Sequence, residues 1–126
     1  MLPSVSIKVV DQCAIYRPEG TVTLENAVAL VEQAIRHTRD IRLPKLLFNG
    51  LQLNGIRSPS LPERYFLSRT FAAAAAGQVQ MALVIQTYLI DPERFGIQVA
   101  RNAGMNADVF DNESAALAWL LLKSES

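Results

Sequence analysis

Polar and apolar residues alternate from Ser4 to Val10, with Val5, Ile7 and Val9 on one side and Ser6 and Lys8 on the other. That period of two predicts a half-buried strand. Asp11 and Gln12 suit a tight turn, and Cys13–Arg17 reads as a second strand stopped by Pro18, Glu19 and Gly20. The two strands are expected to form an antiparallel hairpin. The period then lengthens. Behind Thr23, a good N-cap, the apolar residues Leu24, Ala27, Val28, Val31, Ala34 and Ile35 recur at steps of three and four, with Glu25, Glu32, Gln33, Arg36 and Arg39 opposite them. This spacing predicts an amphipathic helix. Pro44 follows, and Lys45–Phe48 reads as a short apolar strand.

Asn49–Ser60 shows neither period. It ends in a capping box, Ser60 with Glu63 three residues on, and Pro62 sits in the first turn, where its missing N–H costs nothing. The helix is predicted to run through Tyr65, Phe66, Leu67, Phe71 and Ala72–Ala76 to a stop at Gly77. Met81–Ile85 is continuously apolar, as in a strand covered on both faces. Asp91 and Pro92 then read as N-cap and first residue of a helix lined by Phe95, Val99 and Ala103 and ended by Gly104. Ala107–Phe110 is a last short strand, and Asp111 is expected to cap a helix carrying Ala115, Ala116, Trp119 and Leu120. The tail Lys123–Ser126 is expected to fray. The order β-β-α-β-α-β-α-β-α implies a mixed, mostly parallel sheet of about five strands with four helices, joined by right-handed crossovers.

Composition narrows the function. The chain has 126 residues, the size of one domain, and 50% of them are hydrophobic, enough for one core. Twelve basic and twelve acidic residues cancel, so no overall field draws the protein to nucleic acid or anionic lipid. The single cysteine, Cys13, excludes an intrachain disulfide, which fits a reducing compartment. Met1–Val10 is too poor in apolar residues for a signal peptide, and the apolar stretch Ala115–Leu122 is too short to span a bilayer. The expectation is a cytoplasmic protein with no nucleic-acid partner and no stable membrane insertion.

The segments Asp91-Pro92-Glu93-Arg94-Phe95-Gly96, Val99-Ala100-Arg101-Asn102-Ala103-Gly104, Val109-Phe110 and Ala116-Leu117-Ala118-Trp119-Leu120 resemble bacterial STAS-like proteins. These are the relatives of the anti-sigma-factor antagonist of sporulation stage II. The order of elements is similar over nearly the whole chain, so the resemblance implies a STAS-like α/β sandwich. It also implies a regulatory module that binds a protein. Antagonists of that family are phosphorylated on a serine in an Asp-Ser-x-Gly-like turn after the third strand. The corresponding stretch here, Asn54-Gly55-Ile56-Arg57-Ser58-Pro59-Ser60, contains serines and lacks that pattern. STAS-like and CRAL-TRIO-type lipid-transfer sequences are sometimes grouped together, which implies a small-molecule or lipid ligand as the alternative.

The residues themselves offer two candidate sites. Arg57, Ser58, Ser60 and Arg64 surround a helix N-terminus, where free N–H groups and the helix dipole favour an anion or an acidic partner; in the plainer reading Ser60 caps the helix and the arginines are solvated. Asn49, Tyr65, Tyr88 and Asp111 lie near strand ends, where open α/β sheets hold ligands; the plainer reading makes them turn and cap residues. Nothing points to catalysis. His37 is the only histidine, and there is no glycine-rich phosphate loop, no metal-ligand cluster and no framed carboxylate pair. Cys13 and Trp119 read as core. The expected function is a non-enzymatic interaction module without a cofactor, whose binding surface spans Asn54–Arg69.

Overall fold

The computed structural model describes residues 4–122, and the tail Lys123–Ser126 lies outside them, as do the side chains of Ser4, Val5 and Ser6. Two strands, β1 (Ser4–Val10) and β2 (Cys13–Thr21), form the expected hairpin. Asp11 and Gln12 both take left-handed conformations (φ 47° and 65°), the geometry that matches the twist of a two-residue hairpin. Helix α1 (Leu24–Asp40) follows, its first turn capped by the Thr23 side chain, which accepts from the Asn26 N–H. Then come β3 (Lys45–Asn49), a two-residue strand β4 (Leu53–Asn54), helix α2 (Leu61–Ala75) and β5 (Gln80–Val84). A 3-10 turn at Thr87–Leu89, helix α3 (Phe95–Asn102), β6 (Ala107–Phe110) and helix α4 (Glu113–Leu121) complete the order.

The sheet runs β1-β2-β3-β5-β6, parallel except for β1, and β4 extends β2 beyond the end of β3. The period of two divides the central strands between two cores. Leu46, Phe48 and Met81 pack beneath α1, α2 and α3, while Leu47, Ala82 and Val84 pack against Ala116 and Leu120 of α4. The continuous apolar runs of β3 and β5 follow from being covered on both faces.

Several local expectations change. Strand β2 is not stopped by Pro18, Glu19 and Gly20 but runs through them to Thr21, Pro18 and Glu19 staying in register with β1. Ile7 and Val9 are 51% and 55% exposed rather than half-buried, because the packing partner of β1 is β2 and no helix lies over it comparably. Helix α3 begins at Phe95, not after Asp91: Arg94 is left-handed (φ 53°) and breaks the helical path. Asp91 still serves the helix from a distance, its carboxylate accepting from the N–H groups of Glu93 (3.3 Å) and Phe95 (2.8 Å). The buried side of α3 is Ala100, not Ala103, which is exposed; Gly96, one turn before it, lets α2 approach so closely that an added Cβ would stand 2.9 Å from Ser68 Oγ. Finally, Asn112, not Asp111, caps α4, accepting from the Ala115 N–H at 2.8 Å.

Helix α2 stops one residue early. Ala76 is its C-cap at φ 50°, ψ 35°, and Gly77 follows at φ 72° with open space around its α-carbon. A left-handed alanine costs about 1 kcal/mol that glycine avoids. Ala76→Gly is therefore expected to raise stability by about 0.5–1 kcal/mol, and Gly77→Ala to lower it by a similar amount. Chemical denaturation of both variants checks this; two changes of the same sign would contradict it.

Candidate functional site

At the carboxyl end of the sheet, two loops meet the start of α2. One leaves β3 at Gly50, passes through β4 and ends at Ser60; the other is the Thr87–Leu89 turn after β5. Gly50 donates to the Val84 carbonyl at 2.7 Å, and the Gln86 side chain reaches the carbonyls of Leu51 and Leu53 at 3.4 and 3.5 Å. Gly55, at φ 87°, turns the chain toward α2, and an added Cβ would stand 3.1 Å from the Val22 carbonyl. The Tyr88 hydroxyl donates to the Ile56 carbonyl at 2.6 Å. Arg64 ties both loops to the helix, donating to the Leu89 carbonyl and to Ser58 Oγ, each at 3.2 Å.

The residues proposed to hold an anion are close in sequence but face different ways. Ser60 is the N-cap: its Oγ accepts from the Glu63 N–H (3.3 Å), and the Glu63 carboxylate accepts from the Ser60 N–H (2.9 Å). That carboxylate also accepts from both ends of the Arg57 guanidinium at 2.8 and 2.6 Å, with Glu25 of α1 a further 3.4 Å contact. Arg57 is thus committed to two acids, while Arg64 turns inward toward Leu89 and leaves the Ser58 hydroxyl at its outer end. The Arg57 guanidinium, with the Ser60 N–H, holds the Glu63 carboxyl down at about 2, and Glu63 in turn raises Arg57.

The second group is dispersed. Asn49 donates to Glu113 of α4 at 2.9 Å and accepts from the Leu51 N–H. Arg17 of β2 grips the same carboxylate with two bonds of 2.9 and 2.7 Å and is the main cause of its lowered pKa. Asp111 is exposed and, among the described residues, its side chain bonds only the neighbouring Asn112 side chain. Tyr65 lies on the outer side of α2 and Tyr88 clasps the loop. None of the four lines the cavity at the strand ends. That cavity, of about 120 Å³, is bounded by apolar groups such as Leu24, Val31, Phe48, Leu53 and Ile56, and Arg64 is its one charged lining residue among the described residues. A second hollow of about 80 Å³ lies between α2 and α3, and Arg64, Leu67, Phe71, Leu83, Ile85 and Leu89 border both.

The outer side of α2 lies within the expected Asn54–Arg69 surface, but Leu61, Phe66 and Arg69 are not among the contact residues expected there and Tyr65 is expected at the strand-end pocket. Phe66 is 68% exposed and Leu61 58%. The Tyr65 and Phe66 rings meet edge to face, 5.5 Å apart, and the Arg69 guanidinium lies 5.8 Å from the Tyr65 ring centroid. A sequence signal existed: at 100° per residue, Tyr65, Phe66 and Leu67 cannot all point inward.

No protein-family model matches the chain, and no curated protein matches it significantly in sequence. Solved structures do match in shape. An anti-sigma factor antagonist from Mycobacterium paratuberculosis superposes with a TM-score of 0.57 at 16% identity, over 93% of this chain and 92% of that one. A protein of the DUF3478 family from Shewanella loihica PV-4, described as having a SpoIIAA-like fold, gives 0.51 at 15% identity over the same shares. This chain has a SpoIIAA-like fold. The STAS-like α/β architecture expected from the sequence is thereby borne out. Within this SpoIIAA-like chain, Ser58 lies in the loop before α2 and Ser60 at its cap. Among the described residues no group of three His, Cys, Asp or Glu side chains is placed to hold a metal, and no helix is long and apolar enough to cross a membrane.

The Arg57–Glu63–Ser60 cluster has a testable titration. Because the folded pKa of Glu63 is depressed, its contribution to stability is present above the ordinary value of 4.5 and is lost as pH falls toward about 2. NMR titration of the Glu63 side chain is expected to give a midpoint near 2, and Arg57→Ala to move it back toward the ordinary value. A midpoint unmoved by Arg57→Ala would refute the assignment of cause.

Proposed function

We propose that this protein is a non-enzymatic interaction module that docks a protein partner on the outer face of α2 and the loop from Asn54 that leads into it. One observation carries the reading: α2 is apolar on both sides. Its inner residues Phe71, Ala72, Ala74 and Ala75 are buried, yet Leu61, Tyr65 and Phe66 face water on the other. A surface helix ordinarily turns a polar face outward, and a contiguous exposed apolar patch marks an interaction site. Aromatic and arginine side chains are the residues that dominate binding at such patches. Arg69 has no carboxylate partner among the described residues, so the fitting partner presents an apolar anchor to Tyr65 and Phe66 with an acidic group beside it. Arg57, Ser58, Ser60 and Arg64 hold the loop and helix start in shape for that contact. The name of the Mycobacterium neighbour, an antagonist of an anti-sigma factor, supports a protein as the partner class.

A photo-reactive residue at position 66 should cross-link the partner from the source cell, and the purified pair then gives the decisive number. Phe66→Asp is expected to weaken its binding about thirtyfold or more, the scale of a lost central anchor, with an unchanged fold because the side chain is exposed. Binding unaffected by Phe66→Asp would remove α2 as the docking face.

The two hollows under α2 favour a second reading, a small apolar ligand held at the strand ends. At about 80 and 120 Å³ they fall below the usual volume of a drug-sized site, so the fitting ligand is small or a single narrow chain. Native mass spectrometry of protein purified gently from its source is expected to show a non-covalent adduct, lost in Leu67→Trp, which fills the space bordering both hollows. A bare chain mass in the unsubstituted protein would exclude this reading.

A further inference from the structure

Arg64 sets a cation against an apolar hollow and meets no carboxylate there. The side chain is half-buried and lines the space of about 120 Å³ at the strand ends, whose other lining residues are all apolar. Its bonds go to neutral acceptors, the Leu89 carbonyl and Ser58 Oγ, each at 3.2 Å. None of the ion pairs among the described residues includes it. A guanidinium carries five N–H groups in a planar fork, so these bonds leave donors over. The Ser58 hydroxyl accepts from Arg64 and, among the described residues, donates to nothing. The acids that border the neighbouring hollow are committed elsewhere. Asp91 accepts from the N–H groups of Glu93 and Phe95, and Asp108 is paired with Arg94 and Arg101.

The same hollow leaves apolar surface open. Leu83 belongs to the central strand β5 and Ile85 follows it, yet both are only half-buried, as are Ile56 and Leu67 around them. We propose that the hollows hold a linear aliphatic monocarboxylate, its chain laid over Leu67, Leu83 and Ile85 and its carboxylate bound by Arg64 with the Ser58 hydroxyl. Charge selects this head group. A cationic head would meet Arg64 as a like charge, and a neutral chain would cover the guanidinium without a counter-charge, which is costly. The two oxygens of a carboxylate match the guanidinium fork. Volume selects the chain. An apolar cavity of about 150 Å³ accommodates a benzene ring, so about 120 Å³ with about 80 Å³ beside it suits a chain of about six to eight carbons. The assignment rests on the second reading above, that the hollows hold a small ligand, and adds the head group and the residues that select it.

Isothermal titration calorimetry with octanoate and with 1-octanol, which carries the same chain on a neutral head, tests the head group. The unsubstituted protein is expected to bind octanoate about tenfold or more tighter than octanol, the scale of a charge-assisted hydrogen-bonded pair. Without the arginine the carboxylate is the costlier group to bury. Arg64→Met, which keeps an apolar stem in place, is therefore expected to reverse the order, and Leu67→Trp to abolish binding of both. Should Arg64→Met lose its fold, Ser58→Ala at an exposed loop position is expected to weaken octanoate about threefold or more and to leave octanol unchanged. Octanol bound as tightly as octanoate, with both lost in Leu67→Trp, would keep the ligand site and overturn the head group assigned to it. An octanoate preference that survives Arg64→Met in folded protein, or that survives Leu67→Trp, would belong to another cation and overturn the assignment equally. Binding of neither probe at millimolar concentration would remove the ligand reading itself and the assignment with it. Phe66 borders neither hollow, so the docking face on α2 stands or falls separately.

Discussion

Everything in this fold follows from the parallel pairing of β3 with β5, two short strands buried on both faces. Parallel neighbours cannot be joined by a tight turn, so a helix must cross between them, and right-handed crossovers dictate on which face it lands. Three helices cover one face and α4 alone covers the other. The same constraint gathers the loops that leave β3 and β5 at one end of the sheet. There the strands stop supplying backbone partners, and side chains must take over. Gln86, Tyr88 and Arg64 do so, each donating to a loop carbonyl.

Arg64 and Glu63 show how adjacent residues on one helix divide that work. Glu63 closes the capping box and binds Arg57, which fixes the outer wall of the loop. Arg64, one position on, points 100° around the helix and fixes the inner wall. An exposed ion pair contributes little by itself. Arg57–Glu63 gains from being fused to a cap, where the carboxylate is already held by a backbone N–H before the guanidinium arrives. The hollows lie beneath the part of α2 that carries Arg64, Leu67 and Phe71, before its inner face narrows to the buried alanines Ala72, Ala74 and Ala75.

How legible this was in the sequence depended on the range of the interaction. The capping box at Ser60, the Thr23 cap and the Asp11-Gln12 turn are local chemistry, and each stands where the residues indicate. The doubly covered strands were legible because two cores impose a continuous apolar run. Neighbouring capping residues were less decisive: Asp111 and Asn112 are both competent, and only the extended backbone at Asn112 chooses between them. Alternation at β1 correctly indicated a strand but not its exposure, because burial of Ile7 and Val9 depends on how far α1 extends over a neighbouring strand. The candidate sites suffered most. Arg57 and Arg64 look like a pair along the chain, yet a seven-residue separation that crosses a cap places them on opposite walls. Asn49 was expected at a ligand and instead anchors α4 through Glu113. The exposed face of α2 is written in three consecutive apolar residues, Tyr65, Phe66 and Leu67, and not in a charged or nucleophilic group.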